Sequence, residues 1–474
     1  MSFQPNHHNN NPSLPPPPLT TVLTTAKPLN HMLLLPMHLH SLSDPKSKTL
    51  TPNFTTTMDP TLLLSDELLL QILAKLPNSP SNLSNSLVCK RWLNLHGRLV
   101  RSLKILDWNF VSSGRLTHRF PNLTHVDLVP ACFHSPRNAA AAVFLSHRVA
   151  SMRVAPGWCF GEDNILPAEV IDGGLRVIAN GCPNLRKLEV VGASEAGLAC
   201  VGEECSTLQE LELQRCDDEV LRGVAVCKNL QVLRVIGSVG GFYDSVVSDI
   251  GLTILAQGCK RLVKLELSGC EGSFDGIKAI GQCCVMLEEL TVVDHRMDGG
   301  WLAGLSFCEN LKTLRFQSCK AIDGNPGMEE HLGFCPALER LHLQKCQLRD
   351  KNGTGAVFSV CRAAREVILQ DCWGLDNSVL SLAIICRRVE LCYLEGCSLL
   401  TTEGLELVID SWKELQCLRV VSCKNIKDSD ISPTLATLFA TLKELRWRPD
   451  TKHLLSSSLE EISMGKKGGK FFRL

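Results

Sequence analysis

The sequence predicts an α/β leucine-rich-repeat solenoid, helices outside and parallel strands inside, preceded by a small all-α unit and a disordered N-terminal tail. Three observations carry this prediction. An apolar frame recurs from residue 120 to the C-terminal region. Each recurrence joins a helix-spaced stretch to a strand-spaced pair. The composition changes sharply near residue 58.

The tail comes first. Residues 1–58 cluster Asn, Pro, Thr and His around a single acid, Asp44. Such a segment buries too little apolar surface to offset its ordering entropy, and the expectation is disorder. It lacks the basic-then-apolar order of a secretory signal, and no apolar run in the chain reaches the length of a membrane span. The 23 cysteines are therefore expected as reduced thiols in nucleus or cytoplasm rather than as a disulfide scaffold. No two of them stand three residues apart, which removes the usual close zinc-ligand pair. Lys plus Arg equals Asp plus Glu, 49 against 49, so no global field draws the chain to nucleic acid or to an acidic membrane surface.

Next comes a helical unit. Residues 62–76 read as an amphipathic helix: Ser65 caps it, Asp66 and Glu67 favour its first turn, and Pro77 stops it. Leu69, Ile72, Leu73 and Leu76 form an apolar stripe with Leu68 beside it. A second helical pattern carries Leu83, Leu87, Val88, Trp92, Leu95 and Leu99, with Lys90, Arg91 and Arg98 on its polar side. A repeat array needs an end cap, and this unit can be one.

The repeats follow. The frame places apolar residues three, six and eight positions after each start, as in Cys205 with Leu208, Leu211 and Leu213. Thirteen starts are read, at Phe120, Ser146, Cys182, Cys205, Cys227, Cys259, Cys284, Cys308, Cys335, Cys361, Cys386, Trp412 and Phe439. Ten of the twelve spacings fall within the 20–29 residues of a leucine-rich repeat. The pair at +6 and +8 has the period of a strand with one buried face. The preceding stretch has helical spacing, as in Leu175, Ile178, Ala179 and Cys182. Asp172 and Asp249 are read as N-caps of their own helices. Sixteen cysteines occupy frame starts or position +11, where a small, weakly polar side chain packs between coils.

The frame C-x2-L-x2-L-x-L-x2-C resembles the cysteine-containing leucine-rich repeats of F-box proteins, including the plant auxin and jasmonate receptors. Residues 64–92, with Asp66-Glu67-Leu68-Leu69, Ile72-Leu73-Ala74-Lys75-Leu76-Pro77 and Ser86-Leu87-Val88-Cys89-Lys90-Arg91-Trp92, resemble an F-box. The usual Leu-Pro opening is Leu64-Ser65 here. The resemblance implies a domain order of tail (1–58), F-box (60–105), about 13 repeats (118–450) and a C-terminal tail (451–474). It also implies a substrate receptor of an SCF-type ubiquitin ligase. Its F-box holds a Skp-type adaptor, and through it a cullin and a RING subunit, while the repeats hold a protein substrate. The adaptor-binding residues carried over are Leu64, Leu68, Ile72, Leu73, Leu76, Pro77, Leu87, Val88, Cys89, Lys90, Arg91 and Trp92. A small-molecule ligand completing the repeat surface is a variant of this reading. A repeat scaffold or inhibitor without a ligase is the alternative.

No phosphate loop, zinc helix or nucleophile elbow occurs, so no catalytic residue, metal or cofactor is assigned. For the substrate, the +7 positions are expected on the concave face, acids early (Glu189, Glu212, Glu266) and bases late (Arg315, His342, Arg419). Two long spacings give loops with Trp158 and Phe160, and with Phe242 and Tyr243, expected to form a lip beside Arg234.

Overall fold

The computed structural model describes residues 59–76, 85–134, 164–237, 246–327 and 332–449, together with the main chain of 144–146. The expectations for the two tails, Leu83, Pro77 and the aromatic loop residues Trp158, Phe160, Phe242 and Tyr243 lie outside the described residues.

One sheet organises the protein. In chain order its strands are β1 (Ser102–Ile105), β2 (His125–Asp127), β3 (Phe144–Ser146), β4 (Lys187–Val191), β5 (Glu210–Gln214), β6 (Val232–Ile236), β7 (Lys264–Ser268), β8 (Glu289–Val293), β9 (Thr313–Gln317), β10 (Arg340–Gln344), β11 (Glu366–Gln370), β12 (Leu391–Glu395), β13 (Cys417–Val421) and β14 (Glu444–Arg448). From β14 back to β4, neighbours in space are neighbours in sequence, all parallel. Frame position +6 meets +6 of the next coil throughout: Leu188 opposite Leu211, Leu211 opposite Leu233, Leu233 opposite Leu265. Helices return the chain along the opposite layer, such as Asp249–Gly258 and Phe274–Cys283. In β5, β7 and β8 positions +6 and +8 are sealed between the two layers, while +5 and +7 stay at least partly exposed. Each fully buried leucine contributes on the order of 2 kcal/mol, and one continuous core runs from Leu103 to Phe439.

The N-terminal end corrects the frame. β2, from the Phe120 coil, bonds directly to β4, from the Cys182 coil, so no coil starting at Ser146 stands between them. Residues 144–146 instead run antiparallel to β1. β1 itself is parallel to β2, so the sheet begins at Ser102, inside the span assigned to the helical unit. The apolar spacing after Ser146 matches the frame by chance, because three short offsets are a weak filter in a Val- and Ala-rich stretch.

The aspartates also act differently from their expected role. The helix Ala168–Gly181 starts after Pro167, and Asp172 is buried one turn inside it. Its carboxylate accepts from the N–H and O–H of Ser194, which caps the next helix. Asp218 accepts from Ser248 in the same way, and Asp249 accepts from Ser273 N–H (2.8 Å), Ser273 O–H (2.6 Å) and Gly276 N–H (2.9 Å). Ser194, Ser248 and Ser273 cap the helices that follow, and each aspartate clamps the cap of the following coil. Asp249→Ala orphans three donors and is expected to cost about 3 kcal/mol. Asp249→Asn, which keeps one acceptor oxygen, is expected to recover part of it, read from urea midpoints.

The cysteine columns pack as their small size suggests. At frame starts, Sγ of Cys205, Cys259, Cys284, Cys335 and Cys386 lies 3.2–4.0 Å from carbonyls of the preceding coil. Burial pushes the Cys227, Cys259 and Cys308 thiols up to about 12, which keeps them protonated and unreactive. In the +11 column, His295 stands where Cys270 and Cys319 stand in the adjacent coils. Burial drives its imidazole down to about 4 against the opposing pull of Asp323 and Asp294. The unfolded chain therefore binds a proton there between about pH 6.5 and 4 that the folded chain refuses. This stability is complete above pH 6.5 and lost as pH falls through that window. His295→Cys is expected to shrink the drop in urea midpoint between pH 7 and 4.5.

Candidate functional site

The helical unit is held by a short core and one arginine. Ser65 Oγ accepts from Leu68 N–H and starts the helix Asp66–Lys75, as the sequence suggests. Leu69 and Leu73 pack against Leu95 of the second helix, Lys90–Leu99, with Leu64, Leu76, Trp92 and Leu99 at the margin. Arg91 ties the opening turn down: it pairs with Asp66 at 2.7 Å and donates to the carbonyls of Thr61 (3.0 Å) and Leu64 (2.6 Å). The second helix is shorter than its apolar pattern. It begins after Cys89, whose sulfur accepts from Trp92 N–H, while residues 86–88 form a turn.

This packing sorts the residues expected at the adaptor. Leu73 is core, only 5% exposed. Leu64, Leu76, Arg91 and Trp92 are half-buried, and Cys89 and Lys90 are exposed. Leu68 and Ile72, one helical turn apart, face outward beside the buried pair Leu69 and Leu73. Leu87 and Val88 are exposed in the turn, and so are Leu62 and Leu63, which the sequence reading passed over. These six make up over a third of the seventeen large hydrophobic side chains exposed among the described residues, within two short segments.

The second surface is the open face of the sheet. Position +7 lies on it in every coil, and register places each such residue beside its counterpart. Arg234 is gripped between Glu212 (3.2 Å) and Glu266 (2.7 Å), and Lys264 pairs with Glu289 at 2.9 Å. Glu189 is held at about 2: burial would raise it, but hydrogen bonds from His125 and Lys187 outweigh that. Arg419 pairs with Glu444 at 2.8 Å. His342 Nε2 meets Gln370 Oε1 at 2.6 Å, and Gln370 in turn donates to Glu395. Arg315 is exposed and has no ion-pair partner among the described residues.

Charge on this face is divided along the array. Over β4–β8, Glu189, Glu210, Glu212, Glu266 and Glu289 outnumber Lys187, Arg234 and Lys264. Over β9–β14, Arg315, Arg340, Arg419, Arg446 and Arg448 outnumber Glu366, Glu395 and Glu444. Two clefts sit near the division. One, of about 210 Å³, surrounds Arg234; the other, of about 300 Å³, is lined by Glu266, Glu289, Thr291, Arg315, His342 and two glutamines, Gln317 and Gln344. The structure brings Arg315 and His342 to one cleft, while Arg419 lies three strands beyond His342. Trp373, unremarked in the sequence reading, is 66% exposed just past β11, with its backbone fixed by bonds to Cys346 and Leu348. Its signal was an aromatic residue outside the apolar frame.

No family model matches the chain. It is 29% identical over 188 residues to F-box protein MAX2 of Arabidopsis thaliana, a match covering 37% of this chain and 24% of that protein. A transport inhibitor response 1-like protein of Oryza sativa subsp. japonica is 30% identical over 154 residues, 31% of this chain and 26% of that protein. Coronatine-insensitive protein homolog 2 of Oryza sativa subsp. indica is 23% identical over 255 residues, 51% of this chain and 36% of that protein. The matches thus span about a quarter to a third of the length of these relatives. Among solved structures, an internalin of Listeria monocytogenes aligns over 57% of this chain and 69% of that chain at 18% identity, with a TM-score of 0.37. Strands stacked in register carry the repeat assignment on their own, and over part of its length the chain is similar to these plant proteins, one of them an F-box protein.

Proposed function

We propose that the chain is the substrate-recognition subunit of an SCF-type ubiquitin ligase acting in nucleus or cytoplasm, with residues 60–105 docking a Skp-type adaptor and the repeats binding a protein target. The observation that carries this is the exposed apolar set Leu62, Leu63, Leu68, Ile72, Leu87 and Val88 on an otherwise well-packed helical unit. An end cap has no use for a cluster of water-exposed apolar side chains. The subunit does no chemistry of its own: by holding adaptor and target on one rigid frame it raises the target's effective concentration at the ligase. The polar, charge-divided sheet face suits recognition of a protein segment better than enclosure of an apolar small molecule. Reconstitution tests the proposal. The purified chain, mixed with a plant Skp-type adaptor, cullin and RING subunit, is expected to elute as one assembly. Elution of the chain apart from an otherwise intact ligase favours a repeat scaffold without a ligase.

A further inference from the structure

We propose that the concave face selects an extended protein segment of bipolar charge, with a lysine or arginine over Glu266 and Glu289 and an aspartate or glutamate, two residues away, on Arg315. This rests on the reading of the repeats as the target-binding half.

The 300 Å³ cleft has walls of opposite sign. Glu266 and Glu289 belong to β7 and β8, at the end of the acid-rich half; Arg315 and His342 belong to β9 and β10, at the start of the basic half. Neighbouring strands stand about 4.8 Å apart, so the two walls lie about 5–10 Å apart across the sheet. An extended chain rises about 3.3 Å per residue and repeats its side every second residue. A basic and an acidic side chain two positions apart share one side about 6.6 Å apart and span that gap.

The two walls are not equally satisfied. Glu266 and Glu289 already pair with Arg234 and Lys264, yet both stay about one-third exposed and keep free acceptor capacity. Arg315 has no carboxylate partner among the described residues, and a planar guanidinium on a water-facing sheet offers a two-pronged site for one. Gln317 and Gln344 on the same floor supply amides for the main chain of an extended segment. A purely acidic segment meets Glu266 and Glu289, and a purely basic one meets Arg315. Like-charge contact of this kind is how an interface rejects the wrong partner. A long polyanion such as nucleic acid is disfavoured for the same reason.

The test uses the full chain and fluorescent twelve-residue probes on one Gly/Ser frame, carrying Lys-x-Glu pairs, Lys-x-Gln pairs, Gln-x-Glu pairs or Lys-x-Lys pairs. Anisotropy titrations are expected to show the Lys-x-Glu probe binding at least tenfold tighter than the others. Arg315→Glu is expected to abolish that preference and to shift it towards the Lys-x-Lys probe. Melting curves and adaptor binding are followed in the same preparations. If a single-sign probe binds as tightly as the bipolar one and Arg315→Glu changes its affinity, the cleft is a target site but the bipolar class is wrong. If Arg315→Glu leaves every affinity unchanged, the cleft is not the site. If no probe binds while the adaptor still does, this inference falls and the docking half of the proposed function survives.

Discussion

Replacing Leu68 and Ile72 together by aspartate is expected to weaken capture of a Skp-type adaptor about a hundredfold or more while leaving the melting curve nearly unchanged. Both side chains are about half exposed and share one helical face, so each aspartate is solvated in the free protein. In a complex, each loses a buried apolar contact and forces a charge into the interface. Central interface positions of that kind carry about 2 kcal/mol or more each, and two of them exceed the ~2.7 kcal/mol of a hundredfold change. Leu73→Asp is the instructive control. Leu73 is sealed against Leu69 and Leu95, so a carboxylate there opens the small core itself. Lost capture in Leu73→Asp thus reports unfolding of the unit, and circular dichroism separates the two cases.

The largest loss of stability is expected from Trp301→Ala, about 3–5 kcal/mol. Trp301 is fully buried in the tight turn Trp301–Phe307 that returns the chain between β8 and β9. Its ring meets His295 and Phe316 edge-on at centroid distances of 5.2 and 5.8 Å, and its indole N–H donates to Ile322 carbonyl at 2.6 Å. Alanine leaves a cavity joining two coils and an orphaned carbonyl. Each coil of a repeat array contacts only its neighbours, so damage at one coil can uncouple the array into two parts. A broadened urea transition with a reduced m-value is the signature to measure, beside the lowered midpoint.

Most of the architecture was readable because a repeat states its register many times over. The +6 residue of each coil from Cys182 onward pairs with that of its neighbour, and the frame starts, strands and buried cysteines follow from it. Coil Ser146 failed where the frame had only weak residues to match. The aspartate clamps were invisible for a different reason. They join residues 22 to 30 positions apart, Asp172 with Ser194 and Asp218 with Ser248, and local spacing explains an aspartate equally well as a cap of its own helix. In the helical unit, the periodicity marked one broad stripe including both Ile72 and Leu73. Which of them turns inward depends on where the second helix lies, and that is a tertiary fact. The concave face was legible in its charge order but not in its pairing, since Arg234 and Arg419 turned out to be occupied by carboxylates while Arg315 stands open.

Amide hydrogen exchange on the complex of the full chain with a purified Skp-type adaptor tests the central claim most directly. The account predicts a one-to-one complex in which residues 61–76 and 85–92 gain protection while strands β4–β14 exchange as in the free chain. Protection confined to the sheet face, or no complex at all, contradicts it.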